Sequence, residues 1–259
     1  MRHIRPAGAA IALACGLGLT VAVTGPAGAG PVGAATVHTT TVHTGTVRSV
    51  TLPAPAAAAL PTLRRGSKGD AVRTVQKRLT ALGYWLGKPN GVYGDNTVHA
   101  VTALQKVAGL PRDGVLGPAT RKALDRGTRP RANVRVGKVV EISIAKQVMI
   151  IANNGKVQRI IDVSTGSNRL YTRADGGTSR AVTPKGTFKV QRQISTGWRK
   201  APLGLLYRPK YFNGGIAVHG SLSVPNYPAS HGCVRVTLAE MDMLYADKLM
   251  PIGTKVKVY

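Results

Sequence analysis

The chain has 259 residues, which is enough for one large domain or two ordinary ones, and 43% of them are hydrophobic, so a sizeable core can form. Its formal net charge is +26, and both halves of the chain are basic, which excludes a protein whose charge lies in a single basic tail. Such a protein attracts polyanions and anionic substrates, among them nucleic acid and the anionic polymers of a bacterial envelope.

Residues 1–29 have the layout of a secretory signal peptide. Arg2 and Arg5 precede an apolar run, and the Ala-Gly-Ala at 27–29 fits an A-x-A cleavage site. The run is too short and too rich in glycine for a good transmembrane span. We therefore expect an exported protein, in the cell wall or on the extracellular side of the cytoplasmic membrane, and no nucleic-acid partner. A retained N-terminal anchor is the alternative.

Removal of the signal peptide would take Cys15 with it and leave Cys233 as the sole thiol. A lone cysteine in an exported protein cannot form an internal disulfide. It is then a free thiol, an intermolecular partner or a nucleophile.

Residues 30–62 are rich in Ala, Thr, Val and Pro and have no helical or strand period. This composition predicts a flexible linker, with a pro-segment as the alternative.

An internal repeat in residues 63–125 predicts a compact three-helix domain. GVYGDNTVHAV at 91–101 aligns with GVLGPATRKAL at 114–124, and each copy is a glycine turn that opens a helix. An earlier helix, closed by Gly83, completes the unit. The expected apolar faces are Val72, Val75, Leu79 and Leu82 in the first helix and Val98, Val101 and Leu104 in the second.

Helix starts in this region have recognisable caps. Ser67 and Asp70 resemble a capping box, Asp95 is a plausible N-cap, and Pro118 suits a first helical position.

This region resembles the peptidoglycan-binding domain type 1 family. The resemblance is carried by LRRGSKGDAV, LGY, GVYGDNT, AVTALQ and GLPRDGVLGPAT. Two positions depart from the family: Asn90 stands where Asp is usual, and Leu104 where Phe is frequent. The resemblance implies glycan strands and stem peptides of peptidoglycan as partners, although the same scaffold can act as a spacer.

Residues 126–134 read as a short basic linker, after which the period changes to that of strands. KVVEISI, QVMIIAN and KVQRIIDVST are apolar and β-branched, and Asn154-Gly155 predicts a hairpin between the last two. Only residues 237–250 look helical. Residues 135–259 are thus predicted to be a mostly β domain, a sandwich or a barrel-like sheet, and the whole chain to be α+β.

The stretch SHGCVRV, residues 230–236, places Cys233 two residues after His231 and downstream of His219. A thiol becomes a good nucleophile beside a base or in a positive field, and either histidine is a candidate base. If the stretch is a strand, His231 and Cys233 share a face. If it is a turn, the N–H groups of Gly232 and Cys233 can converge on an oxyanion.

No acidic residue occurs between Asp175 and Glu240, and the interval holds nine Lys or Arg. A backbone carbonyl is then the simplest group to orient the histidine, and a two-carboxylate glycosidase is disfavoured. The basic surroundings are expected to favour a thiolate and an anionic substrate. Two alternatives stay open: a zinc site of His219, His231 and Cys233, and an inert buried cysteine.

The second half of the chain resembles the L,D-transpeptidase catalytic domain family over about residues 135–259. The residues that carry the resemblance are AVHGSLSVPNYPASHGCVRV, VSTGS, TPKGTF and GGIAVHG. It implies Cys233 as nucleophile, His219 as base and the Gly220 carbonyl as the group that holds the other imidazole nitrogen. It also implies an oxyanion hole of backbone N–H groups from His231 through Gly232 to Cys233, with the Ser230 hydroxyl supporting the loop or contacting substrate.

Two departures from that family are visible. The spacing from His219 to Ser230 is shorter than in many members, and Arg235 replaces a frequent Asn. An Arg fork can bind a substrate carboxylate bidentately.

The resemblance implies an exported L,D-transpeptidase that forms 3-3 cross-links in peptidoglycan through a cysteine thioester, without metal or organic cofactor. Carbapenem β-lactams are then expected as covalent inhibitors. The alternatives are an L,D-carboxypeptidase, in which water is the acceptor, a non-catalytic wall-binding protein, and a polyanion-binding protein suggested by charge alone. The sequence leaves the oligomeric state open.

Overall fold

The computed structural model describes residues 60–259, so the predicted signal peptide and nearly all of the predicted 30–62 linker lie outside the described residues. No helix in the described part is long and apolar enough to cross a membrane. The helices are α1 (Asp70–Ala81), α2 (Asp95–Ala108), α3 (Pro118–Asp125) and α4 (Leu238–Ala246). The strands are β1 (Lys138–Ser143), β2 (Val148–Asn153), β3 (Lys156–Asp162), β4 (Leu170–Thr172), β5 (Thr178–Arg180), β6 (Gly186–Lys189), β7 (Arg192–Gln193), β8 (Trp198–Ala201), β9 (Gly204–Asn213), β10 (Ile216–Gly220), β11 (Val234–Val236) and β12 (Lys255–Val258).

The fold is α+β, with three helices first and a mostly β domain after them, as the sequence predicts. One sheet has the strand order β3-β2-β1-β12-β6, and a second has the order β11-β10-β9-β7, with β8 paired to β9. Strands β4 and β5 form a separate ribbon. The predicted hairpin between β2 and β3 is confirmed, because Asn154 and Gly155 both have positive φ, 47° and 75°, as a tight two-residue turn requires.

The structure of the helical domain confirms the apolar faces predicted for the helices, but it confirms only one of the predicted helix starts. Pro118 is the first residue of α3, as predicted. The Ser67–Asp70 capping box is wrong, because Gly69 precedes α1 and the Ser67 hydroxyl accepts from the Arg64 N–H instead. Asp95 is also not the N-cap: Gly94 takes that position, and Asp95 forms an ion pair with Arg65.

The sequence repeat is built around two buried glutamines. The Gln76 side chain donates to Asn90 and Thr97 and accepts from the Gly91 N–H at 2.8 Å. Gln105 makes the equivalent bonds to Asp113, Thr120 and Gly114 in the second copy. Asn90 therefore accepts the same hydrogen bond as Asp113, which explains why the departure from Asp at position 90 leaves the fold intact.

The first sheet is buried on both faces. Val148 and Ile150 of β2 pack into one core with the helical domain, whereas Met149 and Ile151 pack into a second core between the two sheets and α4. Alternate side chains of a strand point to opposite faces, so a continuous apolar run such as VMIIA is what a doubly covered strand needs.

The two domains also share a buried polar network. The Lys106 ammonium on α2 is fully buried and contacts the Asp162 carboxylate at 2.5 Å and the Val163 carbonyl at 2.9 Å. His99 reaches the other Asp162 oxygen at 2.8 Å. Burial lowers the pKa of Lys106, and the Asp162 charge opposes this effect. A buried charge without a partner is costly, so this pair locks the helical domain onto the end of β3.

The segment 126–134, predicted as a linker, is hydrogen-bonded to the mostly β domain at its end. The buried Glu141 carboxylate on β1 accepts from the N–H groups of Asn133 and Val134 at 3.0 and 2.7 Å. These bonds fix the end of the predicted linker to the first sheet.

Candidate active site

Strands β10 and β11 place the candidate catalytic side chains together. The strands are parallel, with His219 paired to Arg235 and Val218 to Val234. Paired residues point to the same side of a sheet, and Cys233 immediately precedes β11, two residues from Arg235. His219, Cys233 and Arg235 all line one cavity of about 350 Å³.

The His219 ring is oriented by the next residue in the chain. Its Nδ1 lies 2.8 Å from the carbonyl oxygen of Gly220. A carbonyl can only accept, so Nδ1 carries the proton of the neutral ring and Nε2 is left as a base. The predicted contact with a backbone carbonyl in place of a carboxylate is thus present.

Burial keeps His219 neutral. The side chain is 3% exposed, and burial lowers its pKa to about 4, with the Arg235 charge acting in the same direction and the Gly220 hydrogen bond opposing it. At neutral pH the ring is therefore available to accept a proton.

Cys233 differs from the expectation based on charge. Burial raises the pKa of its thiol, and the opposing effects of the Ala217 backbone and the Arg235 charge are smaller. Its sulfur lies 3.7 Å from the Gly215 carbonyl, within reach of a weak S–H donor. The expected thiolate is wrong for the resting site, because burial outweighs the basic surroundings; the resting pair is a thiol beside a neutral imidazole.

The loop before Cys233 is held by Ser230. The buried Ser230 hydroxyl donates to the Cys233 carbonyl at 2.5 Å and accepts from the Gly232 N–H at 3.0 Å. The Gly232 N–H is therefore already engaged. The N–H groups of His231 and Cys233 have no acceptor among residues 60–259, so they are available to a bound ligand, whereas Gly232, predicted as an oxyanion donor, is not.

Gly232 needs to be glycine. Its φ is 139°, which L side chains rarely adopt, and a methyl group there would lie 2.8 Å from the Val182 carbonyl oxygen.

Sequence reasoning missed Thr183 as a supporting residue of this loop. Its hydroxyl donates to the Gly232 carbonyl at 2.7 Å and accepts from the Gly166 N–H at 2.8 Å. The motifs VSTGS and TPKGTF, which contain Gly166 and Thr183, are thereby brought against SHGC. Both motifs are visible in the sequence, but their spacing along the chain does not reveal that Thr183 contacts Gly232 and Gly166.

The walls of the cavity also went unpredicted. The hairpin of β8 and β9 contributes an apolar wall that includes Leu203 and Leu205, both exposed at its rim. Tyr171 on β4 also lines the cavity and packs edge-on against His231, with ring centroids 4.8 Å apart. His231 thus packs on Tyr171 at the cavity mouth, while His219 holds the buried position expected of a base.

Arg235 is half-buried in the cavity, and its guanidinium forms no ion pair or hydrogen bond with another residue between 60 and 259. It is therefore free to meet a substrate carboxylate. Among the same residues, no group of three or more His, Cys, Asp or Glu side chains is arranged to hold a metal ion.

Comparison with known proteins agrees with this geometry. Residues 68–124 match the peptidoglycan binding domain model, and residues 137–258 match that of the L,D-transpeptidase catalytic domain. The crystal structure of the L,D-transpeptidase (residues 123–326) from Xylanimonas cellulosilytica is 50% identical, covers 80% of this chain and 100% of its own, and superposes with a TM-score of 0.74.

Two further relatives share parts of the chain. A spore cortex-lytic enzyme of Bacillus cereus is 35% identical over 161 residues, which is 58% of this chain and 61% of that protein. The N-acetylmuramoyl-L-alanine amidase CwlL of Bacillus licheniformis is 52% identical over 64 residues, which is 24% of this chain and only 18% of that protein. The chain thus spans less than two thirds of each of these relatives. Together with the fold, the catalytic-domain match and the 50% identity to a solved L,D-transpeptidase chain that is covered completely show that this chain belongs to the L,D-transpeptidase family, with a peptidoglycan-binding domain ahead of the catalytic domain.

Proposed function

We propose that this protein is an exported, cysteine-dependent L,D-transpeptidase that forms 3-3 cross-links between peptidoglycan stem peptides. The observation that carries the proposal is the arrangement of Cys233, neutral His219 and Arg235 on one face of paired strands, around a cavity open to substrate.

In the first step, Cys233 attacks the carbonyl between the diamino acid and the terminal D-Ala of a tetrapeptide stem. His219 Nε2 takes the thiol proton as the carbon–sulfur bond forms, because its Nδ1–H is held by the Gly220 carbonyl. The amides of His231 and Cys233 face the developing oxyanion. His219 then returns the proton to the leaving amine, D-Ala departs, and a thioester remains.

In the second step, the amine of a neighbouring stem attacks the thioester. His219 removes a proton from this amine and passes it to the departing sulfur as the carbon–sulfur bond breaks, which leaves a new amide, the Cys233 thiol and a neutral His219. Arg235 would anchor the carboxylate of the donor stem during the first step. Its location on the His219 face favours this role.

Mass spectrometry of muropeptides tests the proposal. Incubation of disaccharide-tetrapeptides with the protein should yield 3-3 dimers and free D-Ala, and Cys233→Ser should yield neither. Tripeptide monomers without dimers would support the L,D-carboxypeptidase instead, since water would then be the acceptor. Unchanged tetrapeptides would leave only a wall-binding protein.

Cellular location is part of the proposal. The predicted signal peptide and the peptidoglycan-binding domain both favour the cell wall as the site of action. Fractionation of cells that produce the full chain should recover it with the wall, with a mass that lacks residues 1–29. A full-length product in the membrane fraction would favour the retained anchor.

A further inference from the structure

A second groove crosses the junction between the two domains, away from the cysteine. Its central cavity, of about 740 Å³, lies within the size range of ligand sites. Its polar and aromatic lining comes from the helical domain, through Trp85, Lys88 and Asn96, and from the catalytic domain, through Arg159, Asp242 and Asp247.

Two smaller cavities share lining residues with this central cavity. One, of about 220 Å³, shares Leu86 and Asn96 with the central cavity and extends over the first repeat of the helical domain. The other, of about 560 Å³, shares Arg159 and Asp247 and extends along the catalytic domain. The three cavities, with residues of both domains in their lining, together form the junction groove.

Charge sets the junction groove apart from the rest of the protein. The chain has only 10 acidic residues against 36 basic ones, yet Asp95, Asp242 and Asp247 all line this groove, beside Lys88 and Arg159. The active-site cavity holds Arg235 and no acid. With three acidic and two basic side chains, the groove lacks the excess of positive charge of the rest of the protein, which favours an uncharged ligand over a polyanion.

Two side chains in the groove lack partners. The indole N–H of half-buried Trp85 and the amide of Asn96 make no hydrogen bond within residues 60–259. An indole offers a flat face and one donor, and a carboxamide offers both donors and an acceptor. These are the groups that bind the apolar face, the hydroxyls and the acetamido groups of a sugar ring.

We infer that the junction groove binds the uncharged N-acetylhexosamine backbone of a glycan strand, with the helical and catalytic domains each supplying one side. The inference rests on the proposed function and deepens it, because it assigns glycan to this groove and stem peptide to the Cys233 cavity. The buried Lys106–Asp162 pair fixes the two sides of the groove relative to each other.

Tryptophan fluorescence tests the inference directly, because the chain has only two tryptophans, Trp85 and Trp198. In a Cys233→Ser background, Trp198→Phe leaves Trp85 as the sole reporter and Trp85→Phe leaves Trp198. Chitohexaose, an uncharged N-acetylglucosamine hexamer, should change the Trp85 emission and leave the Trp198 emission unchanged. The change should persist in about 0.5 M salt, where charge interactions are screened.

Asn96→Ala provides a second test that does not alter the core, since Asn96 is in the first turn of α2 and alanine favours helix. It should weaken chitohexaose binding about tenfold, the loss of one good polar contact. Asn153→Ala, an exposed position on β2 outside the groove, is the matched control and should bind as the parent does.

An unchanged Trp85 emission at saturating chitohexaose would overturn the inference. So would a response that polyphosphate reproduces and salt abolishes, since that would identify an anion site. Because the cysteine is absent from this assay, the result does not depend on turnover. Glycan binding without 3-3 dimers in the muropeptide assay would reject only the proposed transpeptidase activity. Dimers without glycan binding would reject only the assignment of glycan to the junction groove.

Discussion

At the scale of single residues, the resting site holds both His219 and Cys233 in their uncharged forms. Burial disfavours the charged form of each group, so it lowers the pKa of the His219 imidazole and raises the pKa of the Cys233 thiol. Both shifts disfavour a thiolate–imidazolium pair in the resting enzyme. In the mechanism proposed above, the thiol proton would then move to His219 Nε2 during attack, with the histidine as general base.

Alkylation of Cys233 by iodoacetamide should show this neutral state through its pH dependence. Only the thiolate reacts, and burial raises the pKa of the Cys233 thiol, so the rate should still be climbing at the pH where that of a free cysteine has levelled off. Because the pKa of His219 is lowered to about 4, its titration adds no inflection near pH 6 to the plot of alkylation rate against pH. A reactivity plateau at mildly acidic pH would instead indicate a preformed ion pair.

A carbapenem should acylate Cys233 covalently. Its strained carbonyl resembles the acyl donor, and its carboxylate can pair with Arg235. Intact-protein mass spectrometry should show a gain of one drug mass, which EDTA leaves unchanged. His219→Gln should slow the gain by roughly 10²- to 10⁴-fold without preventing it, the usual contribution of a general base. An adduct that also forms on Cys233→Ser would refute the nucleophile assignment.

At the scale of elements, the catalytic loop depends on segments far from it in sequence. Thr183 bridges Gly232 to Gly166, and the Thr165 carbonyl accepts from the Ser230 N–H at 3.0 Å. The loop is therefore held from both sides before substrate arrives, which is what a preorganised oxyanion site requires.

Thr183→Val should disrupt the loop with little change in volume. It leaves the buried Gly166 N–H and Gly232 carbonyl without their partner, which costs about 1–3 kcal/mol per unsatisfied group. We expect a lower melting temperature together with slower carbapenem acylation. Thr183→Ser keeps the hydroxyl and should restore most of the acylation rate. Equal acylation by the Val and Ser variants would mean that the bridge does not position the loop.

The elements themselves were largely predictable, because each is encoded locally. Alternation, Asn154-Gly155 and the glycine repeat predict the strands, one hairpin and the helices. The caps of α1 and α2 were mispredicted because Ser67 and Asp95 have competing local partners, Arg64 and Arg65. The Thr183 bridge and the β8–β9 wall depend on strand order, which local patterns do not specify.

At the scale of the whole molecule, the two domains behave as one folded body. One hydrophobic core includes residues of α1, α2 and the first sheet, and the Lys106–Asp162 pair lies at the same junction. A sequence read as two domains with a linker does not predict this shared core, because the packing partners lie more than 50 residues apart.

Lys106→Met tests that coupling. The change leaves the buried Asp162 carboxylate with His99 as its remaining side-chain partner, and loss of one partner of a buried ion pair costs about 3–5 kcal/mol. Denaturant unfolding at neutral pH should show this loss. Addition of Asp162→Asn should recover part of it. The exposed Lys77→Met on α1 is the control and should change stability by less than about 0.5 kcal/mol. Equal effects at both positions would mean that the pair does not join the domains.

The raised pKa of the Cys233 thiol also bears on the lifetime of the protein. Thiolates attack peroxides and disulfides, and the raised pKa of the partly buried Cys233 thiol keeps it in the protonated, less reactive form at neutral pH. In the extracellular location that we propose, where no glutathione pool repairs a sulfenic acid, a permanently ionised cysteine would be lost by oxidation before it met many substrates. A thiol that loses its proton only to attack a bound acyl donor would survive in that setting. We therefore expect peroxide to inactivate the enzyme slowly when no substrate is bound.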